Sequence, residues 1–512
     1  MEEDILKTRL EKVRELRERG IDLYPHRWQR THSSVQALAL GTPLTEGKTS
    51  EQPRIAGRLM QIREMGKASF AHILDNGTKL QLYLKKDLLG PEPYSFFVKD
   101  IHVGDFVGVE GPMFRTRTGE ITLEVHTLTL LSKALRPLPE KWHGLKDTDQ
   151  RYRKRYLDLI ANPEARKRFV DRSLMISAIR RALDEMGFLE VETPVLLAQA
   201  GGATATPFET FHRALDRKLV LRIATELYLK RLIIGGFDRV YELGRIFRNE
   251  GIDTRHNPEF TMLEAYQAYS DYNGMAELFE TVVCAAAKAL GIESVDYRGE
   301  NISLKPPFCR LDLPSAWKEH CGADIHDILE GKSFRRDALR ALAERLGIGV
   351  SEDTPSAKIF ERIFDEKILS RLKQPTFVMN YPTAITPLAK CVPGDECLVE
   401  RFECFIGTEE VANAYTELND PLDQRERFAE QARQKAGGHD EAELLDEDFV
   451  EALETGMPPT GGIGFGIDRL AMIMTGTPSI REVVLFPALK DEQGSSNEEE
   501  SQEAPGTAAA TP

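Results

Sequence analysis

Cysteine is scarce in this sequence, which has six cysteines in 512 residues. Only Cys391 and Cys397 lie close together, and no second pair follows at the spacing of a zinc site. A disulfide framework needs a denser pattern in a shorter chain. We therefore predict reduced thiols and assign no metal site to cysteine.

Long apolar runs are also missing. No stretch approaches the roughly 20 apolar residues that a membrane-spanning helix needs. Residues 1–20 lack the apolar region of a secretory signal peptide. These absences predict a cytoplasmic protein that has no membrane partner.

An excess of positive charge is absent as well, since 67 Lys and Arg residues face 82 Asp and Glu residues and the net charge is −15. Non-specific binding of nucleic acid needs clustered basic residues, so the overall charge argues against that class of protein. Six of the acids follow Lys490 in the last segment. Its charge and its Glu, Ser, Ala and Pro content predict a disordered acidic tail over residues 490–512.

The length of the chain exceeds what one ordinary core supports, so we expect at least two domains. Residues 2–19 place Leu and Val at helical spacing and predict an amphipathic helix within an N-terminal segment, residues 1–50. The apolar period then changes to two, with turn signals at Asn76-Gly77 and Thr118-Gly119. Strands fit at about 54–64, 68–75, 78–84, 105–115 and 120–131. Short strands at this density predict an OB-fold β-barrel over residues 51–133.

Two strands of this barrel have contrasting faces. Alternation puts the apolar residues between 71 and 84 on one face and leaves Phe70, His72, Gln81 and Tyr83 on the other. Unstacked bases bind aromatic rings and polar side chains. The second face therefore suits single-stranded nucleic acid, although packing on a neighbouring domain is an alternative.

A linker is predicted over residues 134–161 and a second domain over residues 162–489. This domain opens with a predicted helix from Pro163 to Met186 and a strand over 188–197. Helical patterns then predict a helical insertion at about 294–375.

The most informative stretch runs from Phe247 to Tyr266. Alternating residues at both ends, with Gly251 and Asn257-Pro258 between them, predict an antiparallel hairpin with a loop. Arginine and glutamate are rarely buried unless a partner is supplied, so a surface hairpin with ion pairs is one explanation. The strands carry more charge than a core-facing sheet does, at Glu242, Arg248, Glu250 and Glu264.

Residues 461–469 form a second glycine-rich string, GGIGFGIDR. Its spacing matches neither a Walker loop nor a dinucleotide fingerprint. Arg469 falls in the first turn of a predicted helix, where the dipole disfavours a cation by about 0.3–1 kcal/mol. A bound anion would remove that conflict.

The string FRNEG followed by RHNPEFTMLE resembles motif 2 of the class II aminoacyl-tRNA synthetases, in the form found in the lysyl-tRNA synthetases. Residues 162–197 resemble motif 1, residues 461–469 resemble motif 3, and residues 56–70 resemble the anticodon-binding domain. The resemblance covers about residues 50–489. It implies an α+β fold, in which an N-terminal OB-fold barrel precedes an antiparallel-sheet catalytic domain with flanking helices.

The resemblance also implies the site residues. Those for ATP are Arg248, Glu250, His256, Asn257, Phe260 and Arg469, and Arg248 and Arg469 are also implied in catalysis. Those for lysine are Gly202, Glu226, Arg248, Glu264, Tyr266, Asn413 and Glu417. Glu403 and Glu410 are implied as ligands of Mg²⁺, and Phe70, Gln81 and Glu120 as contacts of the anticodon.

The implied activity is that of a lysine-specific, ATP-dependent ligase that charges tRNA(Lys) as a homodimer. Three alternatives remain. An aspartyl- or asparaginyl-tRNA synthetase should have cationic groups in place of Glu264 and Glu417. A shorter relative that lysylates a translation factor should lack the barrel. A non-enzymatic single-strand-binding protein would need the barrel but not the three motifs.

Overall fold

The computed structural model describes residues 2–139, 145, 147–203, 205–436 and 446–490. The chain divides into two compact units, Met1–Arg166 and Lys167–Pro512. Residues 491–512 of the predicted acidic tail lie outside the described residues. The finer domain limits drawn from the sequence stay predictions.

The first unit contains a seven-stranded sheet in the order β5-β6-β3-β2-β1-β4-β7. The strands are β1 (Arg54–Met65), β2 (Ala68–Asp75), β3 (Thr78–Lys85), β4 (Phe106–Glu110), β5 (Met113–Arg115), β6 (Ile121–Val125) and β7 (Thr127–Ser132). The helices are α1 (Glu2–Glu18), α2 (Ser34–Gly41), α3 (Lys86–Leu89), α4 (Pro91–Asp100), α5 (Thr148–Arg153) and α6 (Arg155–Ala161).

Two of the predicted strands are wrong in extent. The strand predicted over 105–115 is divided, because Pro112 has no amide hydrogen to donate to a neighbouring strand. The preceding Gly111 passes close to the chain at Glu124, where a Cβ on residue 111 would lie 1.8 Å from the carbonyl oxygen of Glu124. The strand predicted over 120–131 divides at His126, since β6 pairs with β3 and β5 while β7 pairs with β4. The patterns predicted α1 but not α2 to α6, and α5 and α6 lie in the segment predicted as a linker.

The two faces predicted for β2 and β3 are confirmed. The apolar face forms the barrel core, with Ala71, Ile73, Leu80, Leu82 and Leu84 all buried. Phe70, His72, Gln81 and Tyr83 are half-buried on the opposite face. The alternation in sequence therefore gave the correct orientation of both strands.

The second unit is built on a large, mainly antiparallel sheet in the order β16-β19-β21-β22-β23-β13-β12-β8. Its strands are β8 (Leu189–Glu190), β12 (Arg239–Phe247), β13 (Glu259–Ala268), β16 (Cys309–Asp312), β19 (Thr376–Pro382), β21 (Asp395–Ile406), β22 (Glu409–Thr416) and β23 (Thr460–Gly466). Smaller sheets and edges contain β9 (Leu196–Leu197), β10 (Glu209–His212), β11 (Arg217–Leu221), β14 (Ser294–Tyr297), β15 (Glu300–Ser303), β17 (Leu329–Glu330), β18 (Ser333–Phe334) and β20 (Cys391–Val392).

Helices flank this sheet. They are α7 (Pro163–Glu185), which begins within the first unit, α8 (Glu226–Ile234), α9 (Tyr272–Leu290), α10 (Leu313–Cys321), α11 (Arg336–Arg345), α12 (Ser356–Lys367), α13 (Pro421–Ala436), α14 (Glu447–Glu454) and α15 (Ile467–Met474). Phe279 of α9 packs on Phe465 of β23, with ring centroids 5.5 Å apart. None of the described helices is both long and apolar enough to cross a membrane.

The helix predicted from Pro163 is present, and so are helices within the predicted insertion, at α10 to α12. In this region Trp317 of α10 stacks on Phe360 of α12 at 4.9 Å and belongs to a second apolar core. The strand predicted over 188–197 is wrong, because only β8 and β9 form there. The amide of Thr193 donates to the side-chain carboxylate of Glu242 on β12 and not to the backbone of a neighbouring strand.

Candidate active site

The predicted hairpin is confirmed as β12 and β13, which pair antiparallel from Phe247↔Glu259 to Arg239↔Gln267. The placement of Arg248 and Glu250 on its first strand is wrong, because β12 ends at Phe247 and both residues follow it. Asp253 holds the loop between them: its Oδ1 accepts from the amides of Arg255 at 2.6 Å and His256 at 2.7 Å, and its Oδ2 lies 2.9 Å from the Nδ1 of His256. Burial opposes the ionised form, but these hydrogen bonds outweigh it and lower the pKa of Asp253 to about 2. The carboxylate therefore stays charged and keeps His256 at the loop.

A cavity of about 350 Å³ lies against this hairpin, with β22, β23 and the start of α15 on its other sides. The structure brings most of the predicted site residues to its wall. They are Gly202, Glu226, Arg248, Glu250, His256, Asn257, Phe260, Glu264, Tyr266, Glu410, Asn413, Glu417 and Arg469. Glu403 is not part of this wall.

Arg248 is one of the two arginines of the predicted ATP set, and it lies half-buried in the cavity wall. Burial lowers the pKa of its guanidinium, and Glu250, Glu410 and Glu264 oppose that effect. The guanidinium lies over the ring of Phe260, 5.2 Å from the centroid. Its Nε has no hydrogen-bond partner among the described residues. An unsatisfied donor of this kind fits an anionic ligand.

Arg469 enters the same cavity from the first turn of α15. Its Nη1 donates to the carbonyl oxygen of Glu410 at 2.7 Å and lies 3.5 Å from that residue's Oε2. The preceding Asp468 pairs with Arg172 of α7 and accepts from the amide of Thr261 at 2.7 Å. Sequence reasoning missed Asp468, although it is the residue that ties α15 to β13.

Asn257 has protein partners at both ends of its amide. Its Nδ2 donates to the carbonyl oxygen of Glu259 at 2.6 Å, and its Oδ1 accepts from the amide of Ala488 at 3.1 Å. These contacts support a role in shaping the loop at the cavity wall.

Three carboxylates surround the end of the cavity that is predicted to bind lysine. Glu226 and Glu417 each lie 2.5 Å from the Nζ of Lys230, which is fully buried. Glu264 accepts from the amide of Thr225 at 3.1 Å and from the hydroxyl of Tyr266 at 3.3 Å. Sequence reasoning missed Lys230, for which the available signal was its position one helical turn after Glu226.

This group contains three carboxyl groups and one ammonium group. Burial raises the pKa of Glu264 to about 7, and Glu226 adds to the effect. Burial also raises the pKa of Glu417 to about 8, because the attraction of Lys230 does not outweigh burial together with Glu226 and Glu264. Burial would lower the pKa of Lys230, but Glu226 and Glu417 outweigh it and raise that pKa. The pocket therefore favours additional positive charge.

Glycines give the carboxylates access to the cavity. A Cβ on Gly462 would lie 2.0 Å from the Oε1 of Glu417 and 2.4 Å from the Cε1 of Tyr266. Gly202 has φ +81°, and a Cβ there would lie 3.2 Å from the Cβ of Glu226. A side chain at Gly462 would fill the space in front of Glu417.

The predicted metal ligands lie on adjacent strands, Glu403 on β21 and Glu410 on β22. Glu403 accepts from the hydroxyl of Tyr381 at 2.8 Å and pairs with Arg401. Burial raises its pKa to about 7, Arg401 opposes the shift, and Glu410 adds to it. No group of three or more candidate metal ligands occurs among the described residues.

Arg401 is a further residue of the cavity wall that sequence reasoning missed. Its Nε donates to the Oδ1 of Asn413 at 3.1 Å and its Nη1 to the Oγ1 of Thr386 at 2.7 Å. The hydrogen bond from Nε fixes the orientation of the Asn413 amide. Arg401 lies two residues before Glu403, so both side chains are on one face of β21.

The barrel holds the predicted anticodon residues on one face. The ring centroids of Phe70 and Tyr83 are 5.0 Å apart, and Phe114 lies 5.9 Å from Tyr83. The Nε2 of Gln81 donates to the Oε2 of Glu120 at 2.7 Å. An aromatic platform beside a polar pair is thus formed within the first unit.

Comparison with known proteins identifies the family. Residues 147–490 match the family described as tRNA synthetases class II (D, K and N), and residues 54–131 match the OB-fold nucleic acid binding domain. The chain belongs to the class II tRNA synthetases (D, K and N). The fold prediction is confirmed, since an OB-fold domain precedes a class II catalytic domain.

Full-length relatives are similar to the chain. It is 50% identical over 493 residues to a lysine–tRNA ligase of Moorella thermoacetica, which covers 96% of this chain and 99% of the relative. It is 50% identical over 491 residues to one of Enterococcus faecalis (95% and 97%) and 48% identical over 494 residues to one of Bacillus cytotoxicus (96% and 98%). A shorter relative that lysylates a translation factor was expected to lack the barrel. This class II synthetase contains it, over residues 54–131.

Proposed function

We propose that this class II synthetase is a lysine–tRNA ligase. The observation that carries the proposal is the surplus of buried carboxylates around Lys230, because a substrate with two ammonium groups neutralises it. The names of the relatives support the same amino acid. An aspartyl- or asparaginyl-tRNA synthetase would need cations in place of Glu264 and Glu417.

The proposed reaction has two steps. A carboxylate oxygen of lysine attacks the α-phosphorus of ATP, and the bond to pyrophosphate breaks, which gives lysyl-adenylate. A hydroxyl of the 3′-terminal adenosine of tRNA(Lys) then attacks the lysyl carbonyl carbon and loses its proton, and the bond between that carbon and AMP breaks. In the first step two anions meet, so the site must neutralise and align them.

Arg248 and Arg469 supply the positive charge for this step. The guanidinium of Arg248 can bind a carboxylate and a phosphate oxygen together, and its burial strengthens both contacts. Arg469 and His256 bind the outer phosphates of ATP. Phe260 stacks on the adenine and Glu250 accepts from it, while Asn257 holds the loop.

Lysine occupies the carboxylate end of the cavity. The carbonyl of Gly202 and the carboxylate of Glu226 bind its α-ammonium group. Glu417 and Glu264 bind the ε-ammonium group, Tyr266 adds a hydrogen bond, and Asn413 completes the wall. Because buried polar groups reject a substrate that leaves them unpaired, this site discriminates against uncharged analogues.

Mg²⁺ is the proposed cofactor, with Glu403 and Glu410 as its carboxylate ligands. Their donor type fits the ion, since Mg²⁺ prefers carboxylate and phosphate oxygens. Glu410 adds to the raised pKa of Glu403, and a divalent cation bound by both carboxylates would relieve that repulsion. When bound, Mg²⁺ would neutralise charge on the phosphates of ATP.

The barrel is the proposed anticodon-binding domain. Phe70 stacks on one anticodon base, and Gln81 and Glu120 bind base edges. A homodimer is supported by apolar side chains near motif 1 that are exposed in the single chain, such as Val170, Leu174 and Leu196. Because tRNA charging serves translation, we also propose a cytoplasmic location.

Amino-acid-dependent exchange between ATP and pyrophosphate tests the proposal. Run with each standard amino acid, the wild type should respond to lysine, and charging of purified tRNA(Lys) should follow. A stronger response to aspartate or asparagine would contradict the lysine assignment but leave the family unchanged. Exchange with no amino acid preference would contradict the whole proposal.

A further inference from the structure

Lys230 lies behind the amino-acid end of the cavity and joins two carboxylates that face into it. Its Nζ is 2.5 Å from the Oε1 of Glu226 and 2.5 Å from the Oε2 of Glu417. Both glutamates line the cavity, whereas Lys230 does not belong to the described part of its wall. Any effect of Lys230 on a bound substrate must therefore pass through these glutamates.

The contacts of Lys230 connect three elements. Glu226 and Lys230 lie one turn apart on α8, and Glu417 follows β22, where its amide donates to the carbonyl oxygen of Thr460 at 2.8 Å. The Nζ also lies 5.9 Å from the ring centroid of Phe449 on α14. A single ammonium group thus fixes the position of Glu226 relative to Glu417.

The same ammonium group offsets the repulsion between the two carboxylates. Glu226 is among the groups that raise the pKa of Glu417, and Lys230 is the group that lowers it. Without Lys230 the two carboxylates would repel each other at low dielectric, and they would separate or take up a proton. Either change would alter the distance between the two binding points.

We propose that Lys230 is a positioning residue that sets the separation of Glu226 and Glu417, and thereby selects the distance between the two ammonium groups of the substrate. The proposal rests on the proposed function, in which Glu226 binds the α-ammonium and Glu417 the ε-ammonium group. Ornithine tests this distance directly, because it is one methylene shorter than lysine and carries the same charges.

The experiment compares lysine and ornithine in ATP–pyrophosphate exchange by wild type, Lys230→Met and Lys230→Arg. Methionine has nearly the length of the lysine side chain and removes its charge, whereas arginine keeps the charge and places it farther from the backbone. Lys230→Met should raise the KM of lysine by about tenfold or more, with the KM of ATP unchanged. One methylene is worth about 10–200-fold in discrimination, so the ratio of kcat/KM for lysine over ornithine should fall toward one in both variants.

Lys288→Met is the matched control, because Lys288 is an exposed lysine on α9. An unchanged lysine KM and lysine-to-ornithine ratio in Lys230→Met would overturn the inference. So would a parallel loss for lysine, ornithine and ATP with a lower Tm, which indicates a structural role alone. If Lys230→Met does not fold, Lys230→Arg decides, and an unchanged ratio there overturns the inference. A wild type with no lysine-dependent exchange would instead contradict the proposed function.

Discussion

Glu242 and Glu264 lie directly opposite each other on β12 and β13, but their carboxylates have different partners. Glu242 forms a buried ion pair with Arg222 and accepts from the Oγ1 of Thr193 at 2.6 Å. Glu264 lines the cavity and accepts hydrogen bonds from Thr225 and Tyr266. One glutamate of the pair therefore holds the hairpin in place, and the other is available to a ligand.

The two glutamates should respond differently to the same substitution. Glu242→Gln leaves the buried charge of Arg222 without its partner, so unfolding free energy should fall by about 3–5 kcal/mol. At about pH 5 the raised pKa keeps Glu264 protonated, so Glu264→Gln replaces one neutral side chain by another and should change the unfolding free energy there by less than about 1 kcal/mol. Urea denaturation of both variants and the wild type checks this, and equal losses would contradict the distinction.

Glu264 should also make stability depend on pH. Burial raises its pKa from 4.5 to about 7, so between these values the folded state binds a proton that the unfolded state releases. The contribution of Glu264 to stability is therefore full below the lower value and is lost as pH rises toward 7. The Tm of Glu264→Gln, relative to wild type, should rise between about pH 5 and about pH 8. A constant difference in Tm across this range would count against the shift.

Local alternation was enough to predict the strands that carry most of the site. In β13 and β22 alternate residues line the cavity, so a correct strand assignment also gives the correct face for Glu264 and Asn413. The roles of the site residues came from the resemblance of the motifs to the family, and these roles remain predictions. The barrel face was predictable for the same reason, because Phe70 and Tyr83 alternate with buried apolar residues.

Long-range contacts explain what the sequence did not reveal. Lys230 looks like a solvent-facing helical lysine until α8 packs on β12 and β13 and the fold brings Glu417 to it. Asp468 depends on α7 and β13 for its partners, Arg172 and Thr261. The predicted strand divides at His126 because β6 pairs with β3 and β5, whereas β7 pairs with β4. Contacts between residues that are far apart in the sequence leave no periodic pattern in it.

Arg248 should not tolerate lysine. We expect Arg248→Lys to impair adenylate formation nearly as much as Arg248→Ala, because an ammonium group cannot bind two oxygens in a plane. ATP–pyrophosphate exchange at saturating lysine measures this. Arg298→Lys serves as a control, since Arg298 pairs with Glu409 and is not part of the described cavity wall. Near-normal exchange by Arg248→Lys would contradict the bridging role.

Phe70 should matter for charging of tRNA but not for activation of lysine. Phe70→Ala removes one ring of the aromatic platform and should weaken tRNA binding by about 1–3 kcal/mol. Exchange should remain normal because Phe70 is not part of the cavity wall. Phe106→Ala removes a ring from β4 and is the control. Equal damage to exchange and charging would show that Phe70 is structural.

Glu417 should determine lysine affinity. Glu417→Gln keeps the size of the side chain and removes its charge, and breaking a buried charge pair costs about 3–5 kcal/mol. The KM of lysine should rise by roughly a hundredfold to a few thousandfold. ATP binding should barely change, because the adenine and the outer phosphates bind other residues of the proposed site, among them Phe260 and Arg469.

The decisive measurement for Glu417 is lysine-dependent exchange, with ATP binding followed separately. Glu451→Gln on α14 is the control, since Glu451 is exposed and outside the cavity wall. Gly462→Ala should reproduce the loss of lysine affinity by another route, because its Cβ would lie 2.0 Å from the Oε1 of Glu417. If Glu417→Gln keeps the wild-type KM for lysine while Gly462→Ala loses lysine binding, the pocket is placed correctly but the ε-ammonium group is held by Glu264 alone. If neither variant affects lysine, the amino acid binds elsewhere.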